Sequence, residues 1–171
     1  MGSRSQVSLS GPGVRTELWF GDPRPPSGWP GPDSVIVVPV IGNHLLLVRS
    51  LRRMGWEFPG GGILVGEGAE QAARRETTEE AGACLGQMSV LCWYTVTVTA
   101  RGAELGVCRP SHGIVYVAEL ISFGAPIDSD EISDVRLFSS PPEELSFKDG
   151  FTELVFGIAQ KQPLLFGRGL V

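Results

Sequence analysis

Residues 56–83 read WEFPGGGILVGEGAEQAARRETTEEAGA, and the second half of that stretch has the composition of a helix with two different faces. From about Gly68 to Ala81 the small residues Ala69, Ala72, Ala73 and Thr77 recur where a helix meets a core. Glu76, Glu79 and Glu80 stand at i, i+3 and i+4 and share an arc of roughly 100° on the opposite side. Three carboxylates so close repel one another and weaken the helix unless a cation neutralises them. Hard oxygen donors of this kind suit magnesium, with manganese as a substitute. Upstream, Trp56-Glu57-Phe58-Pro59-Gly60-Gly61-Gly62 runs from a strand into a glycine-rich turn whose backbone can approach a metal or phosphate closely, so loop and helix are expected to form one site.

On the N-terminal side, Val35–Val38 and Leu45–Val48 flank Gly42-Asn43, a dipeptide suited to a tight hairpin. On the C-terminal side, Met88–Val98, Ile114–Ile121 and Val135–Phe138 are further β-rich runs. A last helix is predicted from Phe151, Leu154, Val155 and Ile158 on one face, with Asp149 as its cap and Pro163 beyond its end. Strands alternating with two helices give an α/β domain over residues 34–171. Residues 1–33 are expected to form an N-terminal arm packed on that body, with short strands near Gln6–Leu9 and Val14–Phe20 and a Pro/Gly-rich irregular segment after Phe20.

The chain has 171 residues, 42% hydrophobic and 19% charged, which is a globular composition. Its net charge of −5, from 14 basic and 19 acidic side chains, excludes the broad positive field that long nucleic acids require. Small polyanions remain accessible if a metal ion supplies the charge. Cys84, Cys92 and Cys108 are odd in number and lack CxxC spacing, which argues against disulfides and zinc and for a reducing, cytoplasmic setting. The longest apolar run, Val35–Ile41, is too short to cross a bilayer.

Gly61, five residues, Glu67, seven residues, then Arg75-Glu76-Thr77-Thr78-Glu79-Glu80-Ala81-Gly82-Ala83 resembles the signature of the Nudix hydrolase family. All seven fixed Gly, Glu and Arg positions are met, a coincidence expected in roughly one chain per million of this length at average residue usage. Thr77 and Ala83 stand where the family usually has bulky aliphatic residues. The box spans Gly61–Ala83, and the flanking strands extend the resemblance over most of Ser34–Phe138. For the fold, the resemblance implies an α/β/α sandwich with a mixed sheet.

For chemistry, it implies that Glu76, Glu79 and Glu80, with the Gly61 carbonyl, hold one or more divalent ions, and that Arg75 orients a glutamate. Read from spacing alone, Arg75 is an i,i+4 partner of Glu79, and Glu67 is either a helix-dipole residue or a support for the ligands. The reaction implied is hydrolysis of a diphosphate linkage in a nucleotide-like small molecule. Arg49, Arg52 and Arg53 follow the second strand, and Arg49 and Arg53 are taken as substrate-binding candidates for a polyphosphate. Trp93 is the candidate for stacking on a base, its neighbour Tyr94 then facing the core. The general base is sought among Asp128, Asp130, Glu131 and Asp134, with Glu131 preferred by resemblance to triphosphate-cleaving Nudix enzymes and Glu119 as its rival. His44 is read as a turn residue and His112 as a loop residue without a partner.

Among substrate classes, no proline follows the box at the spacing of ADP-sugar hydrolases, and neither Tyr94 nor Tyr116 stands where dinucleoside polyphosphate hydrolases carry their tyrosine. A nucleoside triphosphate pyrophosphatase is favoured by elimination, with oxidised nucleotides as one substrate class in view. An isopentenyl diphosphate isomerase would need a cysteine ahead of the box, and all three cysteines follow it. A regulatory nucleotide-binding domain would be expected to have lost box glutamates. The oligomeric state is open, a homodimer being one option.

Overall fold

The computed structural model describes residues 4–99, 110–127 and 130–161. Cys108, Asp128 and Pro163 lie outside the described residues. The elements run β1 (Ser5–Gly11), β2 (Val14–Phe20), β3 (Ser34–Ile41), β4 (His44–Ser50), β5 (Gly55–Glu57), β6 (Gly60–Gly62), α1 (Ala69–Ala81), β7 (Cys84–Val98), β8 (Ser111–Ser122), β9 (Ile132–Phe138) and α2 (Phe151–Lys161). The strands join in the order β1-β2-β7-β8-β3-β4-β5, with β6 also on β3 and β9 also on β4. Among the described strand pairs only β3 and β8 are parallel, so the sheet is mixed and mostly antiparallel.

Each face of the sheet is covered by one helix. On one face α2 buries Phe151, Val155, Phe156 and Ala159 against Leu18, Val38, Leu45 and Leu47. Complete burial of side chains such as Phe156 and Val155 contributes roughly 1.5–3 kcal/mol each. On the other face α1 offers small residues, Ala72, Ala73 and Ala81 with Ala69 partly buried, to Val35, Val37, Leu46 and Val48, which lets its backbone lie close to the sheet. Thr77 is fully buried in this contact, and its hydroxyl donates to the Ala73 carbonyl at 2.7 Å, so a polar residue stands at an aliphatic position without an unmet hydrogen bond.

The sheet forks, and the fork positions the glycine stretch. After the turn at Gly42-Asn43, β3 and β4 pair only at Val40–Leu45 and Ile41–His44. Farther from the turn β3 pairs instead with β6, at Ser34–Ile36, while β4 pairs with β5. The glycine turn expected from sequence is thus partly a strand, Gly60–Gly62. Val37 donates to the Pro59 carbonyl at 2.8 Å, and Pro39, two residues on and facing the same way, has no N–H to offer where β3 pairs with neither neighbour on that edge.

The N-terminal segment joins the sheet. β1 and β2 form a hairpin, and β2 pairs with β7 from Val14–Val98 to Phe20–Cys92. The Pro/Gly segment after it is pinned by Trp29, whose ring meets Trp93 edge-on at a centroid distance of 5.0 Å and whose Nε1–H donates to Thr95 Oγ1 at 3.2 Å. His112 is not a loop residue: it lies in β8 opposite Thr95, its Nδ1 3.0 Å from the Thr95 hydroxyl. β8 begins at Ser111, three residues before the apolar run that marks it in the sequence.

Candidate active site

α1 begins where the Gly68 N–H donates to Gln71 Oε1 and the Gly68 carbonyl accepts from Ala72, and ends at Gly82 with φ 54°. A Cβ at Gly82 would lie 2.6 Å from the Ala125 carbonyl oxygen. The chain passes this closely because the N–H groups of Gly124 and Ile127 donate to the carbonyls of Ala81 and Glu79, satisfying the exposed end of the helix. This crossing sets the helix axis, and with it the direction of the glutamates.

Arg75 gathers the acidic residues. Its guanidinium donates to both oxygens of Glu67, at 2.8 and 2.9 Å, to Glu76 at 2.8 Å, to Glu79 at 3.2 Å and to the Gly62 carbonyl at 2.9 Å. The bidentate contact holds the Glu67 carboxyl at about 2, well below its ordinary value, with the Leu64 N–H helping. The same contacts push the Arg75 pKa up. Glu67 therefore fixes Arg75 across eight residues, a partnership that i,i+4 reasoning does not reveal.

Glu80 is 8% exposed and accepts from the Gly60 N–H at 2.9 Å. Gly61 lies against Glu76, since a Cβ there would be 2.5 Å from the Glu76 carboxyl carbon; any larger residue would push the carboxylate away. Burial raises the pKa of Glu76, opposed by Arg75. Glu80 is pushed up to about 8, first by burial and then by the negative charges of Glu76, Glu57 and Glu131, against the pull of the Gly60 N–H. A carboxyl raised from its ordinary 4.5 stabilises the fold below that value, and the contribution is lost as pH rises through about 8. The melting temperature of the chelated protein is therefore expected to fall between about pH 5 and pH 8, and Glu80→Gln to flatten the fall. Thermal melts in chelator that rise over this interval, unchanged by Glu80→Gln, would contradict the assignment.

Glu57, Glu76, Glu80 and Glu131, with Arg52 and Arg53, lie in the wall of a cavity of about 570 Å³. The same wall also holds Thr16, Ser34, Tyr94, Asp149 and Thr152, with apolar area from Val96 and Phe151. There Thr16 donates to Asp149 Oδ2 at 2.9 Å, and the Ser34 and Tyr94 hydroxyls lie 2.8 Å apart.

Several candidates fall elsewhere. Glu79 is half-exposed beside Arg75 and is not part of the cavity wall. Arg49 pairs with Glu144 at 2.6 Å over the Trp56 ring, outside the wall. Arg53 lies in the wall with its Nη1 2.7 Å from Glu57. Trp93 is on the opposite face of the sheet under Trp29, and Tyr94 is the aromatic of β7 that reaches the cavity, because successive strand residues alternate faces. Glu131 lines the cavity, whereas Glu119 sits at the far end of β8 against Gly86 and Gln87. Asp134 pairs with Arg136. Glu57, Asp149 and Thr152 went unmarked in the sequence as site residues; Glu57 belongs to the quoted stretch, but nothing local shows that it faces the glutamate helix.

The donors on offer, glutamate carboxylates and the Gly61 backbone, are hard oxygens that fit a magnesium-like ion. Among the described residues no three acidic, imidazole or thiol groups already close on one point. Glu76 and Glu79 are turned to Arg75 and Glu80 to the Gly60 N–H, so a cation would compete with those contacts.

The family model for the NUDIX domain matches residues 30–154. The chain is a Nudix hydrolase. It is 33% identical over 121 residues to a Bacillus subtilis (strain 168) protein, YtkD, named provisionally as an 8-oxo-dGTP diphosphatase; the match covers 71% of each chain. The fold is similar to the crystal structure of a mutant of the Bacillus subtilis pyrophosphohydrolase BsRppH, with TM-score 0.65 and 28% identity over 86% of this chain and 89% of that one. A MutT Nudix hydrolase from Burkholderia pseudomallei shares the fold at TM-score 0.55 and 21% identity, over 72% of this chain and 94% of that one. Nudix hydrolases generally use divalent metal ions, and the sandwich expected from the box is the architecture found. No described helix of this Nudix hydrolase is long and apolar enough to cross a membrane.

Proposed function

We propose that this hydrolase cleaves a nucleoside triphosphate to the nucleoside monophosphate and pyrophosphate, with magnesium as the ion and oxidised nucleotides as a substrate class to test first. The observation that carries this reading is a cavity whose wall combines glutamates and arginines with an aromatic ring and hydroxyls. Its volume of about 570 Å³ is in the range of nucleotide-sized pockets. The glutamates of its wall, with Arg52 and Arg53, suit a metal-bound polyphosphate, and Tyr94, the wall hydroxyls and the Asp149 carboxylate are available to a base. The name of the Bacillus subtilis relative points to the same substrate class.

Glu76, Glu79, Glu80 and the Gly61 carbonyl would hold the ion, which when bound supplies a Lewis acid for phosphoryl oxygens and a water of lowered pKa. Arg75 keeps Glu76 and Glu79 oriented through its contacts to both, and Glu67 keeps Arg75 in place. Arg53, in the cavity wall beside Glu57, would draw the distal phosphates toward the glutamates. Glu131, free of the Arg75 cluster and in the cavity wall, would take the proton from the attacking water.

A panel of canonical and 8-oxo nucleoside triphosphates, ADP-sugars and dinucleoside polyphosphates, assayed with magnesium and scored by product mass, tests this. Monophosphate plus pyrophosphate from a triphosphate is the expected outcome. Preferred turnover of an ADP-sugar or a dinucleoside polyphosphate would overturn it.

A further inference from the structure

The cavity contains one buried carboxylate that the box does not account for. Glu57, on β5 opposite Val48, is 6% exposed. Its Oε1 accepts from Arg53 at 2.7 Å, while its Oε2 is buried and has no hydrogen-bond partner among the described residues. A buried carboxylate oxygen left unpaired is costly, and a purely structural ion pair would satisfy both oxygens. Glu57 lines the same cavity as Glu80, close enough for its charge to act on that residue, as Glu76 and Glu131 also do, and among the described residues the cations of the wall are Arg52 and Arg53. The surroundings of Oε2 therefore hold an excess of negative charge and lack a donor.

We propose that Glu57 is a positioning residue of the cation site, its Oε2 accepting from the water shell of a divalent ion held by the glutamate helix. A hydrated divalent cation supplies what the site lacks, positive charge and several O–H donors in one small body. Arg53 holds the carboxylate by its other oxygen, so Glu57 would link the ion to the arginine that faces the phosphates. The fork in the sheet makes this possible, because it brings β5 and the Gly60–Gly62 strand together between β3 and β4. The inference rests on the metal-dependent reading of the site and adds to it a residue outside the box.

The test is titration of the full-length protein with Mn²⁺ without nucleotide, following free Mn²⁺ by electron paramagnetic resonance, for the wild type, Glu57→Gln, Glu57→Asp and Glu76→Gln. Glu57→Gln keeps an acceptor for Arg53 and should weaken Mn²⁺ binding by about 10- to 100-fold, the usual effect of losing a group that supports a metal ligand. Glu57→Asp, which keeps the charge, should bind more tightly than the glutamine variant. The melting temperature of Glu57→Gln in chelator should match or exceed that of the wild type. Mn²⁺ affinity of Glu57→Gln within twofold of the wild type would overturn the proposal. So would a Glu57→Gln variant that melts below the titration temperature, since Glu57 would then serve only the Arg53 pair. If the wild type itself binds no Mn²⁺, and Glu76→Gln behaves identically, the metal-dependent reading fails along with it.

Discussion

Glu80→Gln is expected to lower kcat by roughly 100- to 1,000-fold or more while leaving the fold intact. The amide has the size of the carboxyl and can still accept from the Gly60 N–H, but it removes the charge that a bound cation would meet. In chelator the same change should at least hold the melting temperature below about pH 8, where the buried carboxyl is protonated, and raise it above, where Glu80 would carry charge beside Glu76, Glu57 and Glu131. Steady-state kinetics with magnesium and thermal melts with chelator read the two effects separately. A variant that loses several degrees of stability in chelator would mean that Glu80 serves the fold rather than the cation.

Glu131→Gln is expected to lower kcat by about 100- to 10,000-fold with KM nearly unchanged, the range for loss of a general base. Glu119→Gln is the internal control. Glu119 is far from the cavity, beside Gly86 and Gln87, and its removal should leave the rate and its pH dependence unchanged. Full activity for Glu131→Gln across pH, with loss for Glu119→Gln, would move the base to β8.

The legible parts of this protein are those set by near neighbours in the chain. Glu76, Glu79 and Glu80 are read together because helical periodicity carries them to one side whatever the tertiary structure. The hairpin at Gly42-Asn43 and the apolar face of α2 are local in the same sense, and both helices cover the sheet as the strand and helix pattern suggests. The less legible parts depend on distant partners. Arg49 looks available for phosphate until Glu144 is placed beside it. Trp93 and Tyr94 cannot be told apart by alternation alone, since the register of β7 against β8 shifts between Val90 and Cys92. Asp149 reads as a helix cap, which it is through the Phe151 N–H, but its second oxygen accepts from Thr16, 133 residues away, in the cavity wall. Glu57 needs the fork in the sheet before its free oxygen has any meaning.

The most direct test of the account is hydrolysis of a nucleoside triphosphate in ¹⁸O-labelled water, with magnesium and with excess chelator, the products being weighed by mass spectrometry. The account predicts a nucleoside monophosphate and pyrophosphate in equal amounts, one ¹⁸O atom in one of the two, and no turnover in chelator. Undiminished turnover in chelator, or release of single phosphates to leave a nucleoside diphosphate, would contradict it.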